Sequence, residues 1–146
     1  MATVRGAVQT ITASSAKTTS STAAVNLGLN IGGDPDAATF ILNVTASSSP
    51  TTLDVYLQTS PDAGVTWYDF GRFTQVGAVS TSIQALQWSR KTMDATQGTS
   101  IIVTGDAALA QTKVICGPIV GSYFRAKWVI SGTSYTFSLI AILDRD

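Results

Sequence analysis

Apolar and polar residues alternate in short runs along most of this chain, and the runs are bounded by Gly, Pro, Asp and Ser. A period of two is what a β-strand needs to turn one face to a core and the other to solvent. In FILNVT, Phe40, Leu42 and Val44 share a face; in LDVYLQ, Leu53, Val55 and Leu57 lie opposite Asp54, Tyr56 and Gln58. TWYDFGRFTQV sets Tyr68, Phe70 and Arg72 against Trp67, Asp69 and Phe73, and IQALQW is a weaker run around Leu86 and Trp88. SIIVTG, from Ser100 to Gly105, is a short continuous apolar run. YFRAKWVI opposes Phe124, Ala126, Trp128 and Ile130 to Tyr123, Arg125, Lys127 and Val129. YTFSLIAIL then aligns Tyr135, Phe137, Leu139 and Ala141. SPDAGV and SGTS (Ser131–Ser134) read as hairpin turns, the second around Gly132. No 3.6-residue period persists long enough for a helix. About eight to ten strands predict an all-β, antiparallel β-sandwich of jelly-roll type.

The first residues read differently. TASSAKTTSST has too little apolar surface to offset its own ordering entropy. Residues 1–24 are therefore expected to form an extended or flexible N-terminal arm, with the sandwich domain at 25–146. Within the arm, TVRGAVQTI alternates, Val4 and Val8 on one side and Ala7, Gln9 and Ile11 on the other. Val4, Val8 and Ile11 are the candidate interaction residues, because such a segment can add a strand to a neighbouring sheet edge.

Composition narrows the chemistry. Of the 146 residues 12% are charged, about half the usual share, and the formal net charge is zero. No field would draw in nucleic acid or an anionic membrane, and no run is long enough to span a bilayer. All nine acidic residues are Asp, and there is no His, which removes the commonest general base and metal ligand. Cys116 stands alone, an expected buried thiol without a His to activate it. No enzyme, cofactor or metal is expected. Asp34-Pro35-Asp36 offers only part of a Ca²⁺ ligand set and reads as a turn. Asp54 and Asp69 occupy positions expected on a solvated sheet face rather than in a catalytic carboxylate pair. The N-terminus lacks an apolar signal core, so synthesis in a cytoplasm is expected.

One motif is sharper. Ser60, Asp62, Gly64, Thr66 and Trp67 in SPDAGVTW fit S-x-D-x-G-x-T-W, which resembles the Asp-box of sialidases and other β-propellers. The Asp of such a box accepts turn amides and its Trp packs against the turn. A propeller needs at least four blades of roughly 40 residues, and this chain carries the box once. Sialidase chemistry in that family also uses a Tyr paired with a Glu, and Glu is absent. The five residues are thus expected to be structural.

Thr52–Val76 together with Gly121–Leu143 resembles a group of small tailed-bacteriophage virion proteins, over about a third of the chain and in structural residues only. The resemblance implies a particle protein located in the virion and made in the host cytoplasm. A capsid decoration, or cement, protein that binds the major capsid protein or other virion proteins is the first expectation. It would act as a homo-oligomer, a trimer being one form. A tail, baseplate or head–tail component is the alternative in the same class. A carbohydrate-binding module for host attachment is the alternative in another, with Tyr56, Trp67, Tyr68, Trp88, Tyr123 and Trp128 as a glycan platform.

Overall fold

The computed structural model describes residues 3–27, 31–77, 81–89 and 123–146. All six regular elements among them are strands: β1 (Val4–Lys17), β2 (Ser21–Asn26), β3 (Ala37–Ser60), β4 (Tyr68–Arg72), β5 (Ser82–Ser89) and β6 (Tyr123–Arg145). Every pairing is antiparallel. The protein is all-β.

The two longest strands organise the rest. β3 and β6 pair from Ala37↔Asp144 to Ser60↔Tyr123. β1 and then β2 follow the free edge of β6, while β5 and β4 follow the free edge of β3. The result is a four-stranded ribbon in the order (β1, β2)–β6–β3–(β5, β4), with all four tracks interrupted at the same level. Lys17 and Ser21 end and begin β1 and β2, residues 73–81 separate β4 from β5, and the β3–β6 ladder slips its register between Pro50 and Thr52.

The ribbon folds over along that line. Straight strand would separate Phe40 from Leu57 by roughly 55 Å at about 3.3 Å per residue. Yet Phe70 is next to Leu57 through the Leu57↔Gly71 pairing and has its ring 5.6 Å from that of Phe40. Two four-stranded half-sheets thus face each other, a jelly-roll-like sandwich made by doubling one ribbon. The crease has local causes. Pro50 has no N–H to give its partner Gly132, and Gly132 adopts φ 115°, which other residues rarely reach.

Counted by half, eight strand segments are present among the described residues, but the expected hairpin at Ser131–Ser134 is absent. Those residues are the crease in β6, so the two runs read there as paired strands are one strand, as are FILNVT and LDVYLQ. Two expectations about facing also change at bulges. In β4, Gln58 pairs with Asp69 and Leu57 with Gly71, so Phe70 is the extra residue. It turns into the core, while Arg72 points outward, and the strict alternation of Tyr68, Phe70 and Arg72 fails. In β1 the register slips between Val4 and Ala7, so Val4 packs against the core although Val8 is 61% exposed.

The interior is one apolar cluster contributed by the inward faces of both halves. Phe40, Phe70, Trp88 and Phe124 form a linked aromatic group, with centroids 5.6–6.3 Å apart. Phe137 meets Trp128 edge-on at 5.6 Å nearer the crease. There Tyr135 is fully buried, and its hydroxyl donates to the Gly77 carbonyl at 3.1 Å, tying β6 to the β4–β5 link.

The segment expected to be an arm is a strand of this same sheet. β1 pairs with β6 from Val4↔Arg145 to Lys17↔Tyr135, and the expected boundary at 24/25 falls inside β2. Its serine-rich part is ordered by β6 rather than by its own side chains. Lys17 completes the attachment: its Nζ donates to the Phe137 carbonyl at 2.9 Å and lies 4.2 Å from the Phe137 ring centroid. Burial pushes that amine below the usual lysine range.

Candidate functional site

The box-like motif forms the turn between β3 and β4. Ser60 Oγ donates to Asp62 Oδ1 at 2.8 Å and accepts the Gly64 N–H at 2.8 Å. Asp62 Oδ1 also accepts the Thr66 N–H at 2.7 Å. Gly64 has φ 92°, and Trp67 Nε1 donates to its carbonyl at 3.1 Å. The Thr66 hydroxyl and amide, with smaller help from Ser60, hold the Asp62 carboxyl down at about 2. All five predicted residues therefore meet in one turn. Each bond among them closes the turn on itself, and Asp62 is a brace.

The turn is also docked onto the outer face of the second half-sheet. Arg125 lies 4.4 Å from the Trp67 ring centroid, and its Nε donates to Gln58 Oε1 at 2.6 Å. Gln58 in turn donates through Nε2 to Asp69 Oδ1 at 2.7 Å, and both residues are fully buried. One register step along, Arg72 Nη2 bonds Asp54 Oδ1 at 2.6 Å, and Gln75 Nε2 reaches both Asp54 oxygens at 3.0–3.1 Å. Arg72 also covers the Tyr56 ring at 4.9 Å. The expectation that Asp54 and Asp69 sit on a solvated face is corrected. Asp69 is buried and the Asp54 side chain is 14% exposed, because cross-strand partners replace their water.

Gln58, Gln75 and Arg125 had no signal as single residues. Once β3, β4 and β6 are in register, the pairings Gln58↔Asp69 and Gln58↔Arg125 place Gln58 and Arg125 beside Asp69, and Gln75 reaches Asp54 from the segment after β4. The chemistry of this face is hydrogen bonding between fixed partners. Among the described residues, no three His, Cys, Asp or Glu side chains gather as a metal site. Asp36 instead ties the start of β3 to the end of β6: its N–H donates to the Asp144 carbonyl at 2.9 Å and its carboxylate accepts the Asp146 N–H at 3.0 Å. Cys116, Arg90, Lys91 and the SIIVTG run lie outside the described residues.

The aromatic platform does not assemble as a surface. Trp88, Trp128 and Tyr56 are buried, Trp67 and Tyr68 are half-buried with Arg125 over the Trp67 ring, and Tyr123 is the large aromatic that stays exposed among the described residues.

The outer face of the first half-sheet has a different character. The rows Val8–Ile142–Thr39–Gln87 and Thr10–Ile140–Ile41–Ala85 cross all four strands, and Ile83 flanks them at 75% exposure. None of these side chains is ionisable. Among the described residues, charges on this face lie at one end, where Asp144 accepts the Gly6 N–H at 2.9 Å and Arg5 approaches Asp146 at 3.6 Å. Of the predicted interaction residues, Val8 lies on this face, while Val4 and Ile11 pack inward.

No family model matches this chain, and no curated protein does either.

Proposed function

We propose that this protein is a non-enzymatic structural component of a bacteriophage particle, a capsid decoration protein whose task is to hold surfaces together. One observation carries the reading: among the described residues, the buried and half-buried carboxylates that could have formed a reactive site are committed to neighbouring side chains as scaffold. Asp54 is held by Arg72 and Gln75, and Asp69 by Gln58, which also receives Arg125. Asp62 braces its own turn. What such a molecule offers to others is sheet surface, and its first half-sheet presents a neutral, apolar one. Large exposed apolar patches of this kind mark interaction sites on soluble domains. The bacteriophage setting comes from the resemblance of the stretches Thr52–Val76 and Gly121–Leu143 to small tailed-bacteriophage virion proteins.

Electron cryomicroscopy of purified particles tests this, with an antibody against the protein as label. Regularly spaced label on the icosahedral head is the expected result. Label confined to the tail would move the protein to a tail or baseplate position, and particles without label would end the virion reading.

A further inference from the structure

The described residues leave the largely uncharged outer face of the first half-sheet open, and we infer that its occupant is a second copy of this chain, packed face to face about a two-fold axis. The inference deepens the structural-protein reading, resting on it only in taking assembly as the protein's task.

Three features of the surface select a second copy. First, an isologous pair sets each residue of a patch against the same patch, so any charge on it meets a like charge near the axis. The rows through Val8, Ile41, Ile83, Ala85, Ile140 and Ile142 carry no charge, whereas the outer face of the second half-sheet carries Asp54, Arg72, Arg125 and Lys127. Among the described residues, charge on this face is confined to its Asp144 end, away from the rows where self-contact would bring like groups together. Second, the polar residues on it, among them Thr10, Thr39 and Asn43, are uncharged donors and acceptors that can pair with their own copies.

Third, the area suffices. Four strands at about 4.8 Å spacing and four outward rows at ~6.6 Å make a flat face of roughly 500 Å². With side-chain relief that is on the order of 700 Å² per copy, or about 1,400 Å² for the pair, within the ~1,200–2,000 Å² of stable specific interfaces. Two sheets stacked in this way sit about 10 Å apart, the ordinary spacing of a sandwich. A depression of about 400 Å³ beside Thr39, Gln87, Ser89 and Asp144 lies toward the charged end of the face. Another, of about 440 Å³, beside Asn43, Thr45 and Ile83, lies toward the other. Both give a facing copy's side chains room to interdigitate.

Pairing through the edge of β1 fits less well. Its register slips three times along the strand, and such bulges turn an edge away from strand addition.

Sedimentation equilibrium of the full chain over a concentration series tests the inference, beside Val8→Asp/Ile83→Asp and, as a control, Val65→Asp. Val8, Ile83 and Val65 are 61%, 75% and 82% exposed, so none of the changes touches the core. Circular dichroism melts of each variant verify folding. The wild type is expected to be a dimer at micromolar concentration. The double variant should raise the dissociation constant by roughly a hundredfold or more, because two charges per copy would be buried unpaired, and Val65→Asp should leave it unchanged. A monomeric or trimeric wild type, a double variant that dimerises normally, or equal weakening by Val65→Asp would each overturn the pairing. A monomer found labelled on the head would leave the virion reading standing and give the face to another virion protein. A dimer absent from every particle would do the reverse.

Discussion

Phe70 is the residue on which closure of the sandwich can be tested most directly. It is the bulged residue of β4, and it is 1% exposed. Its ring reaches Phe40 and Trp88 in the opposite half-sheet and Phe124 in its own. Truncation by Phe70→Ala removes a buried aromatic ring and leaves a cavity bounded by three other rings that cannot all collapse into it. Such changes cost about 3–5 kcal/mol, which includes the lost edge-to-face contacts. Domains of this size hold only about 5–15 kcal/mol in total and shift by about 2–4 °C per kcal/mol, so a fall in Tm of roughly 6–20 °C is expected. Urea denaturation followed by both tryptophan fluorescence and far-ultraviolet circular dichroism would measure it. A double-mutant cycle with Phe40→Leu, across the two halves, should give a coupling of about 0.5–1.5 kcal/mol. A Phe70→Ala cost below about 1 kcal/mol, or no coupling to Phe40, would mean that the halves do not pack through this cluster and that the ribbon is open.

Other outcomes follow from the same structure. Asp62 has its folded pKa lowered to about 2 from an ordinary 3.8, so its contribution is complete above about pH 4 and disappears as pH falls through 2. Asp62→Asn should accordingly lower Tm at pH 7 and flatten the acid limb of a Tm–pH curve, and an unchanged curve would remove Asp62 from the turn's support. Gly132→Val places a β-branched residue at φ 115° and is expected to cost about 1–3 kcal/mol in a urea titration; a neutral result would show that the crease does not need that conformation. Amides of Val8, Thr10 and Thr12 belong to the β1–β6 ladder, so hydrogen exchange in dilute protein should find this segment protected, and deletion of residues 2–22 should unfold the domain by exposing the edge of β6. Rapid exchange there with an intact fold would restore the free arm.

Much of the fold was legible because alternation is a local property. A residue's side of a strand depends only on the parity of its position, so Leu53, Val55 and Leu57 could be assigned to a core without a partner strand in view. The same holds for Tyr135, Phe137, Leu139 and Ala141, and all seven are buried. The turn at Ser60–Trp67 was legible for a related reason: its donors and acceptors all lie within seven positions of one another.

What parity cannot carry is continuity across an interruption. Gly and Pro mark a hairpin and a crease alike, and only pairing β6 to β3 on both sides of Gly132 decided for the crease. Bulges are equally silent in sequence. The extra residue at Phe70 becomes visible only against the count on β3, and it sends that ring inward and Arg72 outward to Asp54. The serine-rich first strand has too little apolar surface to order itself, and the edge of β6 supplies the hydrogen bonds that do. Composition could state that charge is scarce; that it leaves the middle rows of one outer face uncharged among the described residues is visible only once the ribbon has doubled over. Hydrophobic periodicity thus determined which side of each strand faces inward, and the non-local backbone pairing decided which strands are one, which edge takes the N-terminal segment and which face is left for a partner.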